Sequence, residues 1–267
     1  MKKIIGFIGC GNMGGTLARA VAKTENEIFL ADLDRGKLNT VTAEIGAVAS
    51  DNETIAKTCD MIFLGVKPQV LGAVLGSLSD TLKTRSNRFV LVSMAAGTSI
   101  ESICNALGCE YPVIRIMPNT PAAVGSGMML YCKNSLVTDS DVEMFLEALK
   151  TAGKCDLIDE KLIDAASAVS GCGPAFVYMF IEALADGGVR CGLPRDKALT
   201  YAAQTVLGAG KMVLETGRHP GELKDAVCSP AGSTIEGVRA LEQAGFRSAC
   251  IEAVTAAFER TKELGKK

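Results

Sequence analysis

The chain has 267 residues, a length that suits one large domain or two smaller ones and can bury a sizeable core without metal or disulfide staples. Hydrophobic residues make up 48% and charged residues 22%, which excludes a disordered chain. The net charge of −2 argues against nucleic acid as a partner held by a basic field, and we read no apolar run approaching the roughly 18 residues of a membrane helix.

Lys3–Ile8 reads as a buried strand, and Asn12–Lys23 as a helix with Met13, Leu17, Ala20 and Val21 at helical spacing. Glu27–Ala31 is a second strand, Arg35–Ile45 a helix and Met61–Val66 a third strand. Pro68 suits the first turn of a helix running through Leu78. Phe89–Val92 and Val113–Met117 are further strands, with a helix from about Ser99 to Leu107 between them. Strands alternating with helices predict right-handed crossovers and a mainly parallel sheet. Near residue 155 the strand-like runs stop, which divides the chain into 1–155 and 156–267. The remainder reads as helices over Glu160–Val169, Pro174–Val189, Pro194 to about Glu215, a short piece ending at Val227, Thr234–Gln243 and Phe246–Leu264. The stretch Ala175–Ile181 is apolar around nearly the whole helix, so it must be buried on all sides. About a hundred residues of helices barely enclose such a segment, and burial against a second subunit is expected.

Ten cysteines are scattered without a CxxC pair, and the single histidine is His219. The usual zinc spacings are therefore missing and no metal site is expected. Many free thiols fit a reducing cytosol. The start, Met1-Lys2-Lys3-Ile4-Ile5, has the look of a secretion signal, but Gly9, Gly11, Asn12 and Gly14 interrupt its apolar run, so a cytoplasmic chain is expected.

Gly9-Cys10-Gly11-Asn12-Met13-Gly14 closes the first strand and opens the first helix. In that context a GxGxxG run predicts a dinucleotide site. Gly9 permits the tight turn, Gly11 lets the backbone approach a pyrophosphate, and Gly14 allows close helix–strand packing. The helix N-terminus then offers free amides to the phosphates. Asp32 ends the second strand at the offset of a ribose-binding acid. A carboxylate there opposes a 2′-phosphate, by roughly 4 kcal/mol for unit charges about 4 Å apart at an effective dielectric near 20. Asp32 thus tilts the choice between NADPH and NADH towards NADH.

Five further segments resemble the pyrroline-5-carboxylate reductase family. Ile5–Gly14 resembles its N-terminal start, Gly65-Val66-Lys67-Pro68-Gln69 its turn after a strand, and Arg115-Ile116-Met117-Pro118-Asn119-Thr120-Pro121 its MPNTP segment. Ser170-Gly171-Cys172-Gly173-Pro174-Ala175 is similar to its SGSGPA helix start, and Leu223–Glu236 to its signature loop and following helix. The resemblance implies an α/β N-terminal Rossmann dinucleotide-binding domain followed by an all-helical dimerisation domain, with dimers assembling into larger rings. It implies reduction of 1-pyrroline-5-carboxylate to L-proline, the last step of proline biosynthesis, habitually with NADPH.

By that resemblance Gly9–Gly14 and Asn52 hold the adenosine side and phosphates of the cofactor, and Val66, Lys67 and Pro68 pass along its middle. Ala95, Ala96, Pro118 and Asn119 line the nicotinamide end. Ser229, Ser233 and Thr234 form the substrate pocket, with Thr234 the catalytic residue that orients the ring nitrogen. The chemistry supports this last set independently, because the loop through Gly232 ends at a helix N-terminus whose amides suit the substrate carboxylate. Against the family pattern, Cys172 and Cys228 stand where small residues such as Ser are common, Ala226 where Asn is common, and Asp32-Leu33-Asp34-Arg35 replaces a phosphate-binding turn. The competing readings are a hydroxyacid or prephenate-type dehydrogenase, which would use a Lys or His base, and a nucleotide sensor without a substrate loop. Lys154 and Lys161 are poorly spaced for such a base, and His219, before Pro220 at a helix break, reads as structural.

Overall fold

In the computed structural model, which describes residues 2–264, the first half of the chain alternates as its pattern demands. β1 (Ile4–Ile8) leads into α1 (Asn12–Val21), β2 (Glu27–Ala31) into α2 (Arg35–Ile45), and β3 (Val48–Ala49) into α3 (Asn52–Thr58). β4 (Met61–Leu64) precedes α4 (Pro68–Lys83), β5 (Val90–Ser93) precedes α5 (Ile100–Leu107), and β6 (Val113–Met117) follows. The helix ends are written in side chains. Asp34, Asp51 and Ser99 each accept a backbone N–H as N-caps of α2, α3 and α5, and Gly46 and Gly108 end α2 and α5 in the left-handed conformation. Such N-caps contribute about 1 kcal/mol each.

After β6, a 3-10 turn (Thr120–Val124) leads to β7 (Gly127–Lys133), α6 (Asp139–Leu149) and β8 (Gly153–Leu157). The sequence reading passed over β3, α3, β7, α6 and β8, and strands continue to Leu157. β7 is rich in Met and lacks β-branched residues, and β8 carries Lys154 and Asp156 at an exposed edge, so neither carries a strong strand signal. The Thr138–Asp141 capping box that starts α6 was visible in the sequence.

The sheet has eight strands in the order β3-β2-β1-β4-β5-β6-β7-β8. Every pairing is parallel except β6 with β7. β4, β5 and β6 are buried throughout, as strands covered on both faces must be. Ile5, Phe7, Phe63, Val92 and Ile116 pack with Leu17 of α1, Leu38 of α2 and Phe145 of α6 on one face. Ile62, Leu64, Leu91 and Val113 pack with Ile55 of α3, Leu75 of α4 and Ile103 of α5 on the other. Each such side chain contributes roughly 1.5–3 kcal/mol relative to exposure.

A 3-10 turn (Glu160–Leu162) and α7 (Ile163–Ser170) follow, and then α8 (Gly173–Arg190), α9 (Arg195–Thr216), α10 (Pro220–Val227), α11 (Ser233–Gln243) and α12 (Phe246–Leu264). By packing, the described residues fall into one unit of 2–172 with 257–264 and another of Gly173–Ala256. α7 therefore groups with the sheet, although the residue pattern changes at 155.

The helical unit has a very small core of its own: Ala185, Ala198 and Ala202, with Ile181 and Val189 packed against them. On α8, Val177, Tyr178 and Met179 are 41%, 59% and 70% exposed. One correction concerns membrane helices. The helical stretch Glu160–Arg190 is long and apolar enough to cross a membrane by length and composition. The sequence reading missed it because polar residues such as Ser167, Ser170 and Glu182 break any unbroken apolar run.

Candidate active site

β1 lies between β2 and β4, so the connections from β1 to β2 and from β3 to β4 leave the sheet in opposite directions there. In open parallel sheets the crevice at such a switch point, beyond the carboxyl ends of the strands, is where ligands bind. The expected cofactor residues all follow strand ends on that edge. Gly9–Gly14 follows β1, Asp32 follows β2, Asn52 follows β3, and Val66-Lys67-Pro68 follows β4. Ala95 and Ala96 follow β5, and Pro118 and Asn119 follow β6.

The glycine turn is built by contact between backbones. Gly9 has φ +102°, and a Cβ on it would stand 2.8 Å from the carbonyl of Gly65. A Cβ on Gly14 would run into the carbonyl oxygen of Gly9, and one on Gly65 would meet the same oxygen at 2.7 Å. Gly65, which the sequence reading quoted but gave no role, is thus the third member of this packing. Gly11 differs: it is the N-cap of α1, makes no side-chain cap, and a Cβ on it would meet nothing within 4 Å. The protein's own packing does not require glycine there. A ligand backed against the α1 amides does, and in this respect the loop fits a pyrophosphate.

Asp32 faces inward. Its Oδ2 accepts the Cys10 N–H at 2.6 Å and its Oδ1 accepts the Asp34 N–H at 2.8 Å. The carboxylate therefore ties the glycine turn to the loop after β2. Burial first, and the Asp32 charge second, push the Cys10 thiol up to about 11, so it stays neutral at ordinary pH. An open groove of about 650 Å³ runs here, lined by Cys10, Gly11, Thr16, Arg19, Asp34 and Lys37 among others. Arg19 is held by Glu44 in a two-pronged pair of 2.8 and 2.6 Å. Lys37 sits 3.2 Å from the Asp34 carboxylate in an exposed pair. Sequence reading missed Arg19 and Lys37, whose signal lies only in their position one helical turn or more beyond the loops.

Beyond β5, Ala95 is buried and Ala96 exposed, with the Ala95 N–H directed to the Ser93 hydroxyl at 3.4 Å. Beyond β6, Pro118 and Asn119 are buried. The Asn119 amide is used on both sides: Oδ1 accepts the Met128 N–H and Nδ2 donates to the Ser170 carbonyl, each at 2.9 Å. Asn119 thus fixes the end of α7. Arg115, 5% exposed, fixes its start by donating to Asp164 at 2.8 Å and Glu160 at 3.3 Å, while Glu160 also accepts the first amide of α5 at 2.9 Å. Lys67 and Pro68 are exposed at the start of α4, and Asn52 opens α3 behind its cap, Asp51.

In the helical unit, α10 ends at Cys228 and a tight turn carries the Gly232 N–H to the Ser229 carbonyl at 3.0 Å. A Cβ on Gly232 would strike the Ser229 hydroxyl, so a larger residue there would turn that side chain aside. Ala231 has φ +55°, the one non-glycine in the left-handed region among the described residues. Gly232 is the N-cap of α11 and leaves it without a side-chain cap. The first amides of α11, those of Ser233 and Thr234, thus face outward without a side-chain acceptor. Among the described residues the hydroxyls of Ser229, Ser233 and Thr234, all exposed, have no hydrogen-bond partner within the chain. This arrangement suits a small carboxylate. His219 caps α10, its Nδ1 accepting the Gly221 N–H at 3.1 Å, which is the structural role its position suggested. No group of His, Cys, Asp and Glu suited to a metal ion occurs among the described residues.

A parallel sheet with a glycine-built turn at its switch point and an open groove beside it is that of a dinucleotide-dependent oxidoreductase. Residues 4–97 match the family model described as NADP oxidoreductase, coenzyme F420-dependent. Residues 160–264 match the model described as pyrroline-5-carboxylate reductase dimerisation. The pyrroline-5-carboxylate reductase of Escherichia coli (strain K12) is 43% identical, the match covering 100% of both chains. That of Methanosarcina acetivorans is 43% identical over 98% of each. The crystal structure of Plasmodium falciparum pyrroline carboxylate reductase with NADP bound superposes with a TM-score of 0.87 at 34% identity, covering 99% of this chain and 100% of that one. The chain belongs to the pyrroline-5-carboxylate reductase family.

Proposed function

We propose that this protein reduces 1-pyrroline-5-carboxylate to L-proline with NAD(P)H, the final step of proline biosynthesis. The observation that carries the reading is full-length identity of 43% to reductases of that name, joined to a glycine turn whose open position, Gly11, the fold itself does not need. Bound NAD(P)H supplies the hydride that adds to the imine carbon.

The chain's own part is binding and orientation, which together lower such a barrier by up to roughly 7–11 kcal/mol. The uncapped amides of Ser233 and Thr234 hold the substrate carboxylate, with the Ser229 hydroxyl beside them. Charge-assisted bonds of this kind contribute roughly 1.5–3 kcal/mol each. The Thr234 hydroxyl orients the ring nitrogen, accepting a hydrogen bond from the N–H of a protonated imine or donating one to a neutral imine. A protonated imine is already electrophilic at carbon and takes up hydride without a further proton, so no dedicated general acid is called for. Gly9–Gly14 and Asn52 take the adenosine side and phosphates, Val66, Lys67 and Pro68 the middle, and Ala95, Ala96, Pro118 and Asn119 the nicotinamide end.

We assign the working form as a homodimer joined through the apolar faces of the helical unit and serving as the unit of a larger ring, and the compartment as the cytoplasm. The match to a dimerisation family over 160–264 and ten free thiols support these assignments. The exposed apolar face of Glu160–Arg190 is then a subunit surface rather than a lipid-facing one.

The test is steady-state oxidation of NADH and NADPH with 1-pyrroline-5-carboxylate, on the wild type and on Thr234→Ala. The expected result is proline-forming turnover in the wild type, and for Thr234→Ala a fall in turnover with dinucleotide affinity intact. A folded wild type that binds dinucleotide but turns over neither cofactor would overturn the assignment.

A further inference from the structure

The expectation that a carboxylate at the end of β2 decides the cofactor rests on that carboxylate presenting its full charge to the ribose. Here each Asp32 oxygen accepts a backbone N–H, from Cys10 at 2.6 Å and Asp34 at 2.8 Å, and these donors offset part of its charge while leaving lone pairs for a ribose hydroxyl. The Asp34 carboxylate caps α2 by accepting the Lys37 N–H at 3.1 Å. Two cations line the groove. Arg19 is clamped by Glu44 through two short bonds. Lys37 has only the Asp34 carboxylate, at 3.2 Å with 61% of its side chain exposed, an ion pair of the weak surface kind. Its ammonium, on a flexible four-carbon stem, is the cation in the groove that can turn to a new anion at little cost.

We propose that Lys37 is the residue that admits a 2′-phosphate and so sets the balance between NADPH and NADH, while Asp32 is a positioning residue that fastens the glycine turn to the β2–α2 loop and serves both cofactors alike. The inference rests on the reading of this groove as the adenosine end of the dinucleotide site. It explains how a chain with an acid at the end of β2 belongs to a family in which NADP is bound by a solved relative.

The experiment is equilibrium binding of NADPH and of NADH, each followed by the fluorescence of its own reduced nicotinamide, to the full-length wild type, Lys37→Gln, Lys37→Arg and Asp32→Asn. Lys37→Gln should weaken NADPH by about tenfold and NADH by less than about twofold, the loss of one charge-assisted phosphate contact. Lys37→Arg, which keeps the charge, should retain NADPH binding. Asp32→Asn should weaken both cofactors by a similar factor and leave their ratio unchanged. A rise of about tenfold in NADPH relative to NADH in Asp32→Asn, or an unchanged ratio in Lys37→Gln, would overturn the proposal. Should Asp32→Asn fail to fold, the Lys37 pair decides alone. A folded wild type that binds neither dinucleotide would instead overturn the cofactor reading beneath it.

Discussion

Replacing Gly11 and Gly14 by alanine, one at a time, separates what the glycine turn does for the fold from what it does for the ligand. At Gly14 the new Cβ runs into the Gly9 carbonyl oxygen and lies 3.2 Å from its carbon. The obstacle is backbone, so α1 must lift from the turn, at about the 3 kcal/mol upper range of overpacking. Alanine's better helix propensity returns about 1 kcal/mol. The net loss of about 2 kcal/mol corresponds to a melting temperature lower by roughly 4–8 °C. At Gly11 the backbone has φ −62° and ψ −171°, which alanine adopts freely, and the Cβ meets nothing within 4 Å. Its melting temperature should stay within about 2 °C of the wild type, since a poorer N-cap and a stiffer unfolded chain nearly cancel. Its affinity for dinucleotide should fall roughly ten- to a hundredfold, the equivalent of one lost charge-assisted bond of about 1.5–3 kcal/mol. Thermal melts and fluorescence titration with NADPH measure the two quantities on the same samples. Gly11→Ala melting as low as Gly14→Ala, or binding as tightly as the wild type, would refute the reasoning.

Three further outcomes follow from particular contacts. Burial tends to raise the Asp141 carboxyl, but hydrogen bonds from Arg88 and Thr138 outweigh it and leave it below its ordinary value. The stability this contributes is full above the unfolded carboxylate range near 4 and is lost as pH falls through the lower folded value. The gap between wild type and Asp141→Asn in urea unfolding should therefore shrink on acidification, and a gap independent of pH would contradict the assignment. Arg115→Met should cost about 2–3 kcal/mol in urea unfolding, less than the roughly 3–5 of a fully buried pair, because Glu160 and Asp164 are 34% and 30% exposed and rehydrate. Ala231→Gly should raise the melting temperature, because it relieves about 1–2 kcal/mol of left-handed strain against about 0.4–1 kcal/mol of added chain entropy; an unchanged or lower value would mean that the turn is not strained.

Much of the parallel half was legible because its central strands are apolar on both faces and α2, α3 and α5 start on side-chain caps. Glu27–Ala31, Arg35–Ile45 and Val113–Met117 were read with the bounds the structure gives them. β7 and β8 were not, since a Met-rich strand and a polar edge strand carry little of the β-branched signal on which such readings rest. At the site, the residue types of the glycine turn were readable, and the helix read from Thr234 starts one residue earlier, at Ser233. What no spacing could convey was direction. Asp32 has the right position for a ribose acid, yet its oxygens face the amides of Cys10 and Asp34, and Asn119 spends its amide on Met128 and Ser170. Such commitments depend on which backbone donors the tertiary fold brings within reach.

The two margins of the sheet bear on how copies of this chain avoid joining wrongly. β3 is two residues long, too short to template another strand. β8, at the far margin, presents Lys154 and Asp156 to solvent, and a strand adding there would have to accommodate both charges. Fibrillar stacking through the sheet is thereby discouraged at either margin, in a protein whose helical surface is unusually greasy. Self-association is left to helix faces, where side-chain shape selects the partner, and away from open backbone, which accepts any sequence.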